Sequence, residues 1–176
     1  DMEEEVKKLI DEVRRVLEEV LKRVEDIIDA SRRTLKKVVD DVRRIDEDVE
    51  RELKEAEKRG VPKEVVEEVR DRLRRNHETV KKRIRDLEKE NRDLIREIRK
   101  LIDKLRREIE ELERRLDELG KEEVLREVDR LVKKVEKTAR ELLRLLEESI
   151  EKSKREAEKL LRSNEDVVRR VRERVR

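Results

Sequence analysis

The stretch KRGVPK at residues 58–63 decides how this chain folds, because it holds Pro62, the only proline, and Gly60, one of two glycines. Glycine suits the left-handed position that follows a helix. Proline suits the first turn of the next helix, since its ring fixes φ and it has no N–H to donate. The stretch therefore predicts that one helix ends near residue 59 and that another begins near residue 62.

Outward from this stretch, the only other helix-breaking residue is Gly120, in LGKE at residues 119–122. We expect it to play the same role as Gly60. The two breaks divide the chain into three predicted helices, at about 2–59, 62–119 and 121–176. Short connections make sequential helices antiparallel neighbours. The sequence therefore predicts an all-α, single-chain antiparallel three-helix bundle, one domain over residues 1–176, with helices of about 55–58 residues.

Charged residues at the two ends of the chain suit helix termini. Asp1 is predicted to cap the first helix, and Glu3 lies among acidic residues in its first turn, where carboxylates favour the helix dipole. Five arginines between residues 169 and 176 place positive charge at a helix C-terminus. They could also form a nucleic-acid patch, but Glu173 interrupts them and no aromatic residue accompanies them.

Composition limits the class of protein. Charged residues make up 59% of the chain and hydrophobic residues 33%, but 53 Lys and Arg nearly cancel 51 Asp and Glu, leaving a net charge of +2. Such interspersed charge creates no strong field of one sign to attract nucleic acid or anionic lipid. No apolar run exceeds two residues, so a membrane-spanning helix is not expected. The absence of cysteine excludes thiolate chemistry, and the absence of aromatic residues makes the core aliphatic.

The apolar residues follow an 18-residue repeat rather than a heptad. In the first helix, steps of seven from Val6 reach Thr34 and Asp41, whereas steps of 18 reach Val24 and Val42. The other two helices show the same 18-residue repeat. Because an α-helix has about 3.6 residues per turn, one repeat makes about five whole turns. Such a stripe stays on one face of a straight helix and predicts no supercoil.

With its 18-residue stripes, aliphatic core, surface of Glu, Lys and Arg, and short glycine-containing connections, the chain resembles parametrically designed (de novo), untwisted helical bundles with buried hydrogen-bond networks. The resemblance covers the whole chain. It implies a monomeric, thermostable scaffold with no natural substrate. Spectrin-like repeats and membrane-bending three-helix modules also have long helices. This chain lacks the aromatic residues expected of the first and the one-sided basic face expected of the second.

Several polar residues occupy positions on the apolar stripes. Asn91, for example, lies one repeat after Leu73 and one repeat before Ile109. The predicted buried polar set consists of Ser31, Thr34, Asn76, Asn91, Ser149, Ser153 and Asn164, with His77 at its flank.

The short connections also predict which of these residues lie level with one another. Level residues should have numbers that sum to about 121 between the first and second helices and to about 240 between the second and third. This register places Asn76 beside Asn164. It gathers the other members into one cross-section: Ser31, Thr34, Asn91, Ser149 and Ser153.

Such polar layers are predicted to specify how the helices align. A buried polar group without a partner costs roughly 1–3 kcal/mol, so a shifted register would strand these amides and hydroxyls against aliphatic side chains. Two alternatives stay open. The polar groups could form a ligand or ion site in the core, or the hydroxyls could bond only to the backbone of their own helix.

His77 is the only histidine, and it lies next to Asn76 and level with Asp46. We expect it to belong to the polar network or to lie half exposed beside it. A catalytic histidine would need a nucleophile and an orienting partner, and a metal site would need further ligands. A di-iron bundle would need Glu at position 74, which is Arg74 here. The sequence therefore predicts no catalytic residue, metal site or cofactor.

The expected function is structural: a monomeric scaffold that has no enzyme activity and binds no partner, nucleic acid or membrane. The alternative is a component of a designed homo- or hetero-oligomer, or a binding module that presents a helical face to a partner. Adjacent apolar pairs such as Leu142-Leu143 and Leu145-Leu146 widen the stripe in places and favour this alternative.

Overall fold

The computed structural model describes residues 2–176 apart from the side chain of Met2, so Asp1 and its predicted capping role lie outside the described residues. Three α-helices follow one another along the chain: α1 at Met2–Lys58, α2 at Lys63–Arg115 and α3 at Lys121–Val175. None of the described residues forms a β-strand. All three helices contribute side chains to shared apolar cores, which confirms the predicted all-α three-helix bundle.

The connection from α1 to α2 is built as the sequence predicts. Gly60 has a φ of 98°, in the left-handed region that favours glycine. The N–H of Val61 donates to the carbonyl of Ala56 over 3.0 Å, and the N–H of Gly60 donates to the carbonyl of Glu57 over 3.2 Å. These two bonds form a Schellman cap, which satisfies carbonyls left open at the helix end. The carbonyl of Pro62 then accepts the first bonds of α2.

The end of α2 differs from the prediction. The helix ends at Arg115 instead of continuing to residue 119. The N–H of Glu118 donates to the carbonyl of Arg115 over 3.1 Å, and the N–H of Leu116 donates to the carbonyl of Glu113 over 3.4 Å. Both bonds span three residues, so the chain tightens around the end of α2, and only the N–H of Leu119 makes a four-residue bond, to the carbonyl of Arg115 over 3.2 Å.

The predicted left-handed role of Gly120 is wrong. Among the described residues only Gly60 has a positive φ. The carbonyl of Gly120 accepts a hydrogen bond of 3.0 Å from the N–H of Val124. Gly120 therefore serves the start of α3, as the residue before its first turn, and does not close α2.

The contacts group the chain into two compact units, and each contains a part of all three helices. Of the described residues, the first unit contains 2–29 and 91–149, and the second contains 30–90 and 150–176. The prediction of one domain over residues 1–176 stays a prediction, and each unit is described by itself.

The core of the first unit is aliphatic. Leu17 of α1, Ile109 of α2 and Val135 of α3 are each at most 2% exposed and belong to one cluster. Leu116 and Leu119, just beyond α2, pack against the same cluster. Burial of such side chains contributes roughly 1.5–3 kcal/mol for each large residue, so this core holds the three helix segments of the unit together.

The second unit contains two aliphatic clusters. One includes Leu53 of α1, Val66 of α2 and Val171 of α3, which are all fully buried. The other includes Val42 of α1 and Leu87 of α2, which are fully buried as well. Val, Leu, Ile and Ala supply the buried members of both clusters, and polar residues separate the clusters along α2.

Ion pairs show how neighbouring helices align within each unit. In the second unit Glu50 of α1 lies 2.8 Å from Arg70 of α2, and their numbers sum to 120. In the first unit Glu108 of α2 lies 2.7 Å from Lys134 of α3, and their numbers sum to 242. These sums lie close to the predicted 121 and 240, so sequential helices are antiparallel and in the expected register.

Candidate functional site

A pair of asparagines forms the centre of the candidate site, in the second unit. Nδ2 of Asn76 on α2 donates to Oδ1 of Asn164 on α3 over 2.6 Å. Asn164 has no solvent-exposed surface, and Asn76 is half buried. Since Val80 and Val168, the next stripe residues, are both buried, the two amides lie among aliphatic side chains. A neutral hydrogen bond in such surroundings is net stabilising by about 1 kcal/mol.

The neighbouring residue on α2 makes a second polar contact, to α1. Nδ1 of His77 lies 3.1 Å from Oδ2 of Asp46, and both side chains are mostly buried, at 18% and 19% exposed. A proton on Nδ1 turns this contact into a charge-assisted hydrogen bond. Because Asn76 and His77 are adjacent in the chain, α2 contacts both other helices at one height.

Asp46 is a member of this site that the predicted polar set leaves out. The signal for it is the same 18-residue repeat, because Ile10, Ile28 and Asp46 form one series. Ile10 and Ile28 are both buried, at 4% and 1% exposed. A carboxylate therefore occupies a position that is otherwise part of the apolar stripe.

Burial raises the pKa of the Asp46 carboxyl above its ordinary value of 3.8, and the charge of His77 acts in the opposite direction. The physical cause is desolvation, because a carboxylate that is partly covered by protein loses favourable contact with water. Asp46 is thus held more easily in its neutral form than an exposed aspartate.

Two polar atoms of the site, Oδ1 of Asp46 and Nδ2 of Asn164, are buried and have no hydrogen-bond partner among the described residues. Nδ1 of His77 is also buried, and its contact with Asp46 is a hydrogen bond only when this nitrogen carries a proton. Such atoms are uncommon in folded proteins, because a buried polar group loses its hydrogen bonds to water.

An open groove of about 450 Å³ between α1 and α2 borders the Asp46–His77 contact. Its lining carries Arg43, Arg70 and Arg74 against Asp46, Glu47 and Glu50. The charges balance, and Arg70 is engaged by Glu50, Glu57 and Glu67 at 2.8, 3.6 and 2.8 Å. The groove therefore offers no concentrated charge of one sign to a charged ligand.

Other members of the predicted polar set lie in the second unit as well. Ser31 and Ser153 are buried, at 6% and 4% exposed. Thr34 departs from the prediction, because its side chain is exposed and its Oγ1 donates to the carbonyl of Ala30 over 3.1 Å. The reason is angular position: Val16, one repeat earlier, is 39% exposed. Thr34 thus lies at the margin of the stripe and bonds its own helix backbone.

The remaining predicted residues belong to the first unit. Asn91 is buried at 1% exposed, and Ser149 is half buried. The structure thus brings together Asn76, His77 and Asn164 of the predicted set, along with Asp46. The predicted gathering of five residues into another layer draws on both units and stays a prediction.

Within the described part of the chain, no three His, Asp or Glu side chains are grouped so as to hold a metal ion. No helix in residues 2–176 has both the length and the apolarity that crossing a membrane requires. Comparisons with protein-family models, with curated proteins and with solved structures found no match.

Proposed function

We propose that the chain is a designed structural scaffold in which buried polar layers specify the alignment of the helices. The observation that carries this proposal is the hydrogen bond between Asn76 and Asn164, which is 2.6 Å long and has the fully buried Asn164 as its acceptor. Two neutral amides paired with each other are not acid–base catalysts, because an amide does not readily accept or release a proton. The pair favours one alignment, because Nδ2 of Asn76 reaches Oδ1 of Asn164 only in this register.

The energy difference between registers supports the same interpretation. Moving α3 by one turn relative to α2 would set Asn76 against an aliphatic side chain, and two amides would lose their partner. Each orphaned amide costs roughly 1–3 kcal/mol, which is a large share of the roughly 5–15 kcal/mol that stabilises a typical domain. One buried asparagine fixes register in coiled coils by the same effect.

A distance measurement tests this role. Glu78 on α2 and Arg162 on α3 are exposed, and the chain has no native cysteine, so spin labels on Glu78→Cys and Arg162→Cys report the alignment of these helices. We expect one narrow distance distribution in the otherwise unmodified chain. In the Asn76→Leu/Asn164→Leu background we expect a broader distribution or a second distance, displaced by about 5 Å for each helical turn. A single unchanged distance in that background would show that the asparagines do not set the register.

Exposed apolar side chains favour a second function, as a component of an oligomer or as a binding module. Among the described side chains, five large hydrophobic ones are between 37% and 47% exposed, and all five lie in the first unit: Leu9, Val16, Leu101, Leu125 and Leu145. Molar mass across a range of concentrations separates the two functions. A constant 21.6 kDa supports the scaffold, and a mass that rises with concentration supports the oligomer.

A further inference from the structure

The second unit contains a buried donor and a buried acceptor that complement each other. Nδ2 of Asn164 carries N–H groups, and Oδ1 of Asp46 accepts hydrogen bonds. Neither atom has a hydrogen-bond partner among the described residues. Since Asn164 is fully buried, bulk water does not reach its amide.

The two residues lie at nearly the same height. Asp46 contacts His77, and the preceding residue, Asn76, contacts Asn164. The alignment of α1 with α3 agrees: Arg172 bonds both carboxylate oxygens of Glu52, over 2.9 and 3.1 Å, which sets an offset of 120 residues. That offset places Asp46 level with residue 166, two residues from Asn164, or about 3 Å along the axis at about 1.5 Å per residue.

We infer that one water molecule binds between Oδ1 of Asp46 and Nδ2 of Asn164. It joins the Asp46–His77 and Asn76–Asn164 contacts into a single polar layer to which all three helices contribute. With this water, Oδ1 of Asp46 and Nδ2 of Asn164 each have a hydrogen-bond partner. This inference goes beyond the alignment of α2 with α3, because it links α1 to the same layer.

The chemistry of the two atoms selects water as the ligand. Water accepts a hydrogen bond from the N–H of Asn164 and donates one to the oxygen of Asp46, and buried waters commonly make two to four such bonds. A cation does not fit, because it would be repelled by the N–H group of Asn164. An anion does not fit either, because it would be repelled by the carboxylate of Asp46. Rotation of the Asn164 amide alone does not replace the water, because it would set one NH₂ group against that of Asn76.

Nuclear magnetic resonance of the ¹⁵N-labelled full chain tests the inference directly. We expect a rotating-frame cross-peak between water and the side-chain NH₂ of Asn164. Asp46→Leu removes the acceptor and should abolish this cross-peak, whereas Asp46→Asn keeps an acceptor oxygen and should retain it. A missing cross-peak in the unmodified chain, or one that survives Asp46→Leu unchanged, overturns the inference. The first of these outcomes does not depend on any variant folding.

A double-mutant cycle gives an independent readout. Asp46→Leu and Asn164→Leu are measured singly and together, with the equilibrium constant of unfolding as the observable. If a water couples the two residues, the combined change should differ from the product of the single changes by about fivefold. A control cycle pairs Asp46→Leu with Val171→Ala, and there we expect the changes to multiply. If the changes in the equilibrium constant multiply in both cycles, the water bridge is contradicted, but the role of the asparagines in setting the register is not.

Discussion

Nδ2 of Asn76 and Oδ1 of Asn164 lie 2.6 Å apart, and they join α2 to α3 through a hydrogen bond whose acceptor residue, Asn164, is fully buried. The two residues are 88 positions apart in the chain. Their pairing therefore depends on the alignment of two long helices, and it makes stability sensitive to either residue alone.

Removing one of these asparagines should cost more than removing both. Asn164→Leu leaves Nδ2 of Asn76 without its acceptor, so we expect the free energy of unfolding to fall by about 1–3 kcal/mol. Asn76→Leu/Asn164→Leu should recover part of that loss, because neither asparagine is then left without the other. Urea denaturation measures these differences. Thr79→Ala is the control: Thr79 is exposed and bonded to its own helix, so its replacement should change stability by less than about 0.5 kcal/mol.

Asp46 should make stability depend on pH. Its raised pKa means that the fold favours the neutral carboxyl. The resulting stabilisation is fully present below the ordinary value of 3.8 and is lost as pH rises through the folded-state pKa.

Asp46→Asn removes this titration. We therefore expect the variant to gain stability relative to the original chain as pH rises from 3.5 to 7. Urea denaturation at a series of pH values measures the difference. Asp71→Asn is the control, since Asp71 is 57% exposed. A constant difference across this range for Asp46→Asn would contradict the prediction.

The two glycines should respond differently to alanine. Gly60 has a φ of 98°, which strains any residue with a Cβ atom. Gly60→Ala should therefore lower the free energy of unfolding by about 1 kcal/mol. Gly120 lacks a positive φ, and a Cβ atom there meets nothing within 4 Å. Gly120→Ala should be neutral or stabilising, by up to about 1 kcal/mol, because the unfolded chain loses freedom. Thermal and urea denaturation of both variants check the contrast.

Two leucines of α1 should differ in how much stability their replacement by alanine costs, because they differ in burial. Leu17 is 2% exposed and belongs to the core of the first unit, whereas Leu9 is 37% exposed. Leu17→Ala leaves a cavity and should cost about 2–5 kcal/mol. Leu9→Ala should cost less than about 1 kcal/mol, because solvent already reaches that side chain. Equal losses for the two variants would show that something covers Leu9 in solution.

The helices and their order follow from features that are local in the sequence. Gly60 and Pro62 determine the first connection, and the 18-residue stripes identify the buried face of each helix. The end of α2 cannot be placed in this way, because its last turn tightens through backbone bonds that leave no distinctive residue pattern. The prediction for Gly120 is wrong for a related reason: the residue type permits a left-handed conformation without requiring it.

The candidate site can be predicted in part. The pairing of Asn76 with Asn164 follows from register, which short connections fix. The burial predicted for Thr34 is wrong because one step of the repeat does not distinguish the centre of a stripe from its margin. Asp46 is missing from the predicted polar set because charged residues make up 59% of the chain, so a single aspartate does not stand out. One half-buried aspartate among so many exposed charges is recognised only when its stripe neighbours, Ile10 and Ile28, are considered with it.

The early end of α2 also makes the α2–α3 connection a place where foreign sequence can be inserted. Leu116 and Leu119 anchor this connection to the core, while Gly120 has open space around it. A peptide grafted beside Gly120 would leave those anchors in place, and each doubling of loop length adds only about 0.6 kcal/mol of closure entropy. The α1–α2 connection is unsuited to such a graft, because the bonds around Gly60 use the backbone that an insertion would displace. Epitopes or sensor domains displayed on this chain therefore belong after α2.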